Sequence, residues 1–517
     1  MAKKAAKKTR ARGSSATGTK RKARPKKARA GGEAPATAEE LLDMAQAISL
    51  LRTTRPTFYR WLRAGKIKGM KVGRQWRFRR EDIDRFLSGQ EPKIELRTDI
   101  RPLIKTLSQR LGKLGGKDTS PGDTQPVQRA VNLMILLAVK MRASDIHVEP
   151  YEDGAHLRCR VDGVLHPAGK FDLRLLPAVV ERLKRMTACD VHETKLPQDG
   201  RIRVESPEEG LDFDLRVSFL PAYLGEAVTI RILRREAAVI GLDQIDYWAK
   251  DRETLLRGLK QPWGLVIVTG PTGSGKTTVL YSCLMHLLNP AVKIMSVEDP
   301  VEYLIAGTTQ IQINPKIGLT FERAIRSILR SDPDLIMMGE IRNREMLELC
   351  MQASLTGHLV LTTLHTDEAA SALKRMVDIG VVPFLVADCT KLISAQRLVR
   401  KLCPDCCEPI SPSPDALAKA EKLALAGGLN AQTLDKRFRG PVGCPKCGQT
   451  GYRGRTLIAE MLEFSPEMGA ALKAEAPVEE LRAIALRNGM TTMAADGIRR
   501  AAAGETSLDE VFRALAV

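Results

Sequence analysis

Residues 264–278 read Gly-Leu-Val-Ile-Val-Thr-Gly-Pro-Thr-Gly-Ser-Gly-Lys-Thr-Thr, and no other stretch constrains the fold as tightly. The first six residues are a short apolar run, the pattern of a fully buried strand. Gly270 to Thr277 then satisfy GxxxxGK[ST] without deviation. Residues 278–288 continue as a helix. A strand, a glycine-rich loop and a helix in that order form a phosphate cradle at the edge of a parallel sheet. Gly270, Gly273 and Gly275 let backbone N–H groups wrap the phosphates, and the helix N-terminus adds a favourable field. Pro271, Thr272, Ser274 and Thr278 complete the expected nucleotide-binding set. Lys276 is expected to reach the β- and γ-phosphates, and the Thr277 hydroxyl to ligate Mg²⁺. The ligand this unit predicts is ATP with Mg²⁺.

A phosphate cradle implies nucleotide binding; hydrolysis needs acidic partners. The apolar strand predicted at 334–338 delivers Glu340 to its carboxyl end, and a second strand at 293–297 delivers Glu298. In a parallel sheet both ends face the phosphates. One carboxylate is expected to orient or deprotonate the attacking water, the other to hold the metal shell. The apolar segment 359–364 carries His358 at one end and His365 at the other. His365 falls on the phosphate rim and is a candidate γ-phosphate sensor.

Charge marks off the N-terminus. Residues 1–87 carry about +18 of the chain's net +20. Residues 1–36 have almost no large apolar side chain and predict a disordered basic tail. A compact unit is expected at 37–90. It has a helical stripe over Leu41, Leu42, Ala45, Ile48 and Leu51, and a second helix from about Pro56. A hairpin around Gly73-Arg74 and a short helix over 81–87 follow. Residues 55–87, RPTFYRWLRAGKIKGMKVGRQWRFRREDIDRFL, resemble the excisionase-type (MerR-like) winged helix-turn-helix family. The resemblance implies duplex DNA as a partner through residues 1–87. Arg55, Thr57 and Arg60 would read bases or phosphates, and Lys71, Arg74 and Arg77 would be wing contacts.

A linker with one helix is expected at 91–125, a mixed α/β domain at 126–240, and the phosphate-binding domain at 241–400. Cys403-Pro-Asp-Cys406 and Cys444-Pro-Lys-Cys447 are two CxxC pairs separated by 37 residues. Four thiolates favour tetrahedral Zn²⁺. They define a tetracysteine element at 401–455, with a helical segment at 456–517. The longest apolar run, residues 133–139, is far short of a membrane span. No apolar segment follows the basic start, so no secretory signal is expected.

Seven segments together resemble the type II secretion and type IV pilus-assembly ATPase family. They are RASDIHVEP (142–150), KLPQDGRI (195–202), RVSFLPAYLGEAVTIRIL (216–233), GPTGSGKTT (270–278), SVEDPVEY (296–303), SDPDLIMMGEIR (331–342) and LTGHLVLTTLHT (355–366). The resemblance implies an α/β architecture: a RecA-like P-loop core, a preceding mixed α/β domain, an N-terminal winged helix-turn-helix and a tetracysteine zinc insert. It implies a cytoplasmic homo-hexamer, peripheral to the inner membrane, with ATP bound between subunits. It implies that Arg216 and Arg231 of the preceding domain reach the nucleotide. The tetracysteine element marks assembly and secretion members rather than retraction members. Where this family usually carries a helical domain that docks on an inner-membrane platform protein, this chain has the basic tail and winged helix. Three functions follow: a pilus or pseudopilus assembly motor, a DNA-coupled or DNA-anchored motor, and an ATP-sensing regulator.

Overall fold

The computed structural model describes residues 41–516, apart from 91–93, 95, 97, 120–123, 207–210, 235–239, 431–433 and 435. The basic tail expected at 1–36 lies outside the described residues.

The N-terminal unit joins β1 (Leu42–Asp43), β2 (Met70–Val72) and β3 (Gln75–Phe78) in the order β1-β3-β2. Helices α1 (Met44–Leu50), α2 (Arg55–Arg63) and α3 (Arg80–Leu87) pack on them. The helical stripe expected from Leu41 begins only at Met44. Asp43 caps α1, its side chain accepting from Gln46 N at 2.8 Å, which leaves Leu42 extended and paired with Phe78. Phe58, Leu62, Ile67, Phe78 and Ile83 fill the core. Phe58 meets Phe78 edge-on at 5.1 Å between ring centroids.

This unit is seated on the next domain. Val191 N donates to the Arg63 carbonyl at 3.0 Å, and the Trp76 ring stands 4.9 Å from the His192 ring. Gly65, at φ +65°, ends α2 against Arg185 and Val191. A Cβ there would lie 2.9 Å from a side-chain carbon of each.

The second domain is an antiparallel six-stranded sheet of order β6-β5-β4-β9-β8-β7. Its strands are β4 (Asp145–Tyr151), β5 (Gly154–Val161), β6 (Val164–Phe171), β7 (Gln198–Ser206), β8 (Leu211–Ala222) and β9 (Gly225–Arg234). Helices α4 (Arg101–Lys113), α5 (Pro126–Lys140) and α6 (Leu176–Met186) share its core. The helix of the stretch expected as a linker is thus α4, with Leu103, Leu107 and Leu111 buried in that core.

The third domain carries a seven-stranded sheet of order β12-β11-β13-β14-β10-β15-β18. It comprises β10 (Gly264–Thr269), β11 (Ile294–Glu298), β12 (Thr308–Gln312), β13 (Leu335–Met338), β14 (Leu359–Leu364) and β15 (Thr390–Leu402), all parallel, with β18 (Tyr452–Glu463) antiparallel at the edge. Both faces are covered: Leu265 and Ile267 enter one core cluster, Val266 and Val268 another. Two-sided burial is why these strands read as continuous apolar runs. Helix α7 (Ala249–Leu259) leads into the domain, and α8 (Lys276–Leu287) leaves the glycine-rich loop. The tetracysteine element interrupts the β15–β18 hairpin, with its own small pair β16 (Glu408–Pro409) and β17 (Arg439–Gly440) and the helix Pro414–Ala426. The C-terminal segment expected as helical begins inside β18, and its later helices pack back on the sheet through Leu472, Leu481 and Ile484. No helix among the described residues is long and apolar enough to cross a membrane.

Gly65→Val forces the Arg185 and Val191 side chains apart and strains a left-handed backbone. It is expected to raise hydrogen exchange over residues 187–198 while leaving the melting temperature of the P-loop domain unchanged. Unchanged exchange would refute the seated arrangement.

Candidate nucleotide site and metal centre

At the carboxyl rim of the parallel sheet, β11, β13, β14 and β10 stand side by side. The rim therefore presents Glu298, Glu340, His365 and the glycine-rich loop in that order. Gly270 takes φ +147°, and a Cβ there would stand 2.4 Å from the Gln396 carbonyl oxygen and 2.6 Å from Ser274 Oγ. Only glycine lets β15 and the loop approach so closely. Gln396 then holds the loop from β15, its side-chain amide donating to the Ser274 carbonyl at 2.8 Å.

Lys276, the first residue of α8, lies inside this cradle. Its Nζ donates to the carbonyls of Gly270 at 2.7 Å and Pro271 at 3.1 Å. Burial lowers its affinity for the proton, and the nearby Glu340 carboxylate works the other way. His365 bridges the two halves of the rim. Its Nε2 stands 3.1 Å from Glu340 Oε2 and its Nδ1 3.5 Å from Lys276 Nζ. A neutral imidazole protonated on Nε2 satisfies both contacts, donating to Glu340 and accepting from Lys276. Glu340 is also paired with Arg342, which reaches Asp299 at 3.1 Å. His358 sits at the opposite end of β14 with Nδ1 2.8 Å from the Ala353 carbonyl oxygen, so it ties the strand to the preceding helix.

The two carboxylates differ in setting. Glu298 is buried and accepts from Tyr281 Oη, from Ser296 Oγ at 2.6 Å and from Gln310 Nε2 at 3.1 Å. Its orientation is fixed by three donors. Glu340 is the half-buried partner facing the lysine. Both, with Thr277, Glu302 and Arg342, line a cavity of about 140 Å³. A hydroxyl and carboxylates around one small cavity are the oxygen donors a hard divalent cation and its waters prefer. Thr277 is exposed on the same rim, as are Pro271, Thr272 and Gly273. These residues fit Mg²⁺-ATP: the loop and Lys276 would hold the phosphates, and Thr277 with a rim carboxylate would hold the metal.

The arginines assigned to the nucleotide hold carboxylates. Arg216 makes a bidentate pair with Glu302, at 3.2 and 2.8 Å. Arg231 pairs with Asp145 at 3.1 Å. The two stand directly opposite on β8 and β9, and Arg201 of β7 stands opposite Arg216. Like charges facing one another across a ladder are unfavourable, so the row is suited to an anion. Arg201, Tyr281, Glu302, Gln310, Arg342 and Gln396 were not singled out from sequence. Only Arg201, 15 residues before Arg216 as Arg231 is 15 after it, left a periodic signal.

All four cysteine sulfurs of the second candidate centre lie within 4.8 Å of one another. Cys403 and Cys444 are 3.9 Å apart, as are Cys406 and Cys447. Sulfurs about 2.3 Å from a tetrahedral Zn²⁺ stand roughly 3.8 Å apart, so the donor set fits that ion. Backbone N–H groups point at the sulfurs, from Gly443 to Cys406 at 3.4 Å and from Gly451 to Cys447 at 3.3 Å, as thiolate ligands require. Cys159, Cys189, Cys283, Cys350 and Cys389 are dispersed and buried.

In the winged helix, Arg55, Arg60, Lys71 and Arg74 are exposed. Arg55 lies over the Tyr59 ring and Lys71 over the Trp76 ring. Thr57 is taken up by the α2 cap, its N–H donating to Thr54 Oγ1 at 3.4 Å. Arg77 is held by Gln75 at 2.6 Å.

A family model described as type II/IV secretion system protein matches residues 121–513. A helix-turn-helix domain model matches residues 41–91. The type IV pilus assembly ATPase PilB of Myxococcus xanthus is 39% identical over 433 residues, 84% of this chain and 75% of that protein. Type II secretion system protein E of Xanthomonas campestris pv. campestris is 44% identical over 388 residues, 75% of this chain and 67% of that protein. The X-ray structure of the Legionella pneumophila ATPase DotB superposes with a TM-score of 0.54 at 20% identity, covering 76% of this chain and 96% of that one. That likeness shows the fold.

Glu340→Gln is expected to keep ATP binding and the melting temperature but lose turnover by about 10²-fold or more, the scale of a general base or metal-shell carboxylate. Glu298→Gln replaces an acceptor of three hydrogen bonds with an amide, and is expected to lower the melting temperature as well as turnover. Wild-type turnover by Glu340→Gln would refute the rim assignment.

Proposed function

The chain belongs to the type II/IV secretion system protein family, and from that membership we propose that it is a Mg²⁺-dependent ATPase that powers type II secretion pseudopilus or type IV pilus assembly. The observation that carries this reading is the shared rim of Lys276, Glu298, Glu340 and His365 around one phosphate cradle. In this reading Glu340 or Glu298 activates water, the other carboxylate supports the Mg²⁺ shell, and His365 links the γ-phosphate site to the lysine. Arg216 and Arg231 leave Glu302 and Asp145 for the phosphates, where the fixed guanidinium fork stabilises spreading charge. The assembly is a homo-hexamer on the cytoplasmic side of the inner membrane, working against a platform protein. One Zn²⁺ per subunit closes the tetracysteine element and supports an assembly rather than a retraction role. In the native host, Lys276→Ala is expected to abolish turnover and with it the surface pili or secreted cargo. Normal assembly by that variant would contradict the reading.

A second reading is favoured by the winged helix. Its α2 docks at the C-terminal end, through Arg63 and Gly65, and leaves Arg55 exposed at the N-terminal end, while Arg60 is exposed in the last turn. The N-terminal end, where Arg55 stands, is the end of a recognition helix that meets bases. In this reading the same motor is anchored to duplex DNA. If six to ten phosphates are neutralised, raising salt from about 50 to 200 mM should weaken duplex binding roughly 10³–10⁵-fold. Arg60→Ala should reduce discrimination between sequences more than overall affinity. Absence of duplex binding at low salt would leave the assembly motor alone.

A further inference from the structure

A second cavity, of about 670 Å³, shares no lining residue with the phosphate-rim cavity and opens between the six-stranded domain and the second cysteine pair. Six cationic side chains line it, Arg110, Lys113, Lys140, Arg142, Lys446 and Arg453, against one carboxylate, Asp162. That carboxylate is already in use: it accepts from Gly454 N at 3.0 Å and faces Arg455 at 3.9 Å, pinning the two domains together. Lys446 is paired with Asp405 at 2.5 Å. Lys113, Lys140 and Arg142 form no ion pair among the described residues.

Helix ends explain only part of this. Lys113 and Lys140 close α4 and α5, where cations suit the helix dipole. Arg142 is different. It stands just past α5 at φ +60°, with the next residue closing the helix from Ala143 N to the Ala138 carbonyl at 2.9 Å. This is the left-handed position that glycine ordinarily takes. An arginine there is held against its backbone preference, and it lines the cavity. The floor is also specific. Leu114, Leu137, Met141 and Val161 give the cavity an apolar side next to its cations. An inorganic anion would use the cations and leave that floor and most of the volume unfilled.

We propose that this cleft binds a nucleotide, its phosphate held by Lys113, Lys140 and Arg142 and its base laid on the apolar floor. The volume falls within the range of about 300–1,000 Å³ usual for small-molecule sites. Arginine supplies the planar fork that recognises phosphate through two parallel hydrogen bonds. A ligand here touches both the six-stranded domain and the tetracysteine element, so it would bias how the two are set against each other.

The test is equilibrium dialysis of radiolabelled GMP against the full-length, zinc-containing protein with the P-loop saturated by ADP and Mg²⁺. One GMP per chain is expected, with ribose 5-phosphate competing at least roughly tenfold less well because it lacks the base. Arg142→Gly is the decisive variant, since glycine suits φ +60° and the fold should be kept or stabilised. It is expected to weaken GMP binding by roughly tenfold or more without lowering the melting temperature or ADP binding. Lys140→Gln should act in the same direction. No GMP retained at millimolar concentration would overturn the proposal. So would equal competition by ribose 5-phosphate or inorganic phosphate, or full GMP binding by Arg142→Gly.

Discussion

The parallel register of β10, β11, β13 and β14 brings four carboxyl ends to one rim, and the chemistry of the molecule depends on it. Met338 pairs with Val297 and with Thr362, and Thr269 pairs with Leu364. Each strand therefore stops within a residue or two of its neighbour. A shift of two residues in any pair would carry Glu340 or His365 away from Lys276. The strands hold that register because both faces are buried. Lys276, His365, Glu340, Arg342 and Asp299 then form one chain of contacts along the rim, with cation and carboxylate alternating on either side of the imidazole. An incoming triphosphate would meet a lysine already oriented and a carboxylate whose charge is balanced by neighbours.

The domain before it supplies the complementary charge. Arg201, Arg216 and Arg231 form a row across three strands, and two of them are held by carboxylates 86 residues away in the chain. The Arg216–Glu302 pair crosses from the six-stranded domain to the segment just after Glu298, at the edge of the rim cavity. It is an exchangeable ion pair between the two domains, beside the contacts of Asp162 with Gly454 and Arg455 of β18. A phosphate can take a guanidinium in the same bidentate manner as this partly exposed glutamate. In the proposed function, a phosphate that took Arg216 from Glu302 would link nucleotide binding to domain position.

What the sequence made legible was local. The P-loop, the CxxC pairs and the strands buried on both faces announce themselves within a dozen residues, and the structure has each in its expected element. The rest depends on contacts between distant segments. Leu42 is a strand residue only because Phe78 pairs with it, and β6, with Pro167 and Gly169 inside it, lacks any alternating pattern. α4 lies in a glycine- and proline-flanked stretch, and its place in a core emerges only from its packing on α5. Gln396 and Tyr281 serve the site from β15 and α8, where nothing in their neighbourhood marks them. The arginines were legible as residues but not in their pairing, because Glu302 and Asp145 carry no signal of the partner they hold.

In the proposed function, ATP draws Arg216 off Glu302 and with it moves the six-stranded domain against the P-loop domain. Pulsed electron-spin distance measurement between labels at exposed Leu220 and Leu355, one on each domain, tests it most directly. Labels on unnatural residues would spare the zinc cysteines. The distance distribution is expected to change on adding a non-hydrolysable ATP analogue with Mg²⁺, and Arg216→Ala is expected to lose that change. One distribution, the same with and without nucleotide in the wild-type protein, would contradict it.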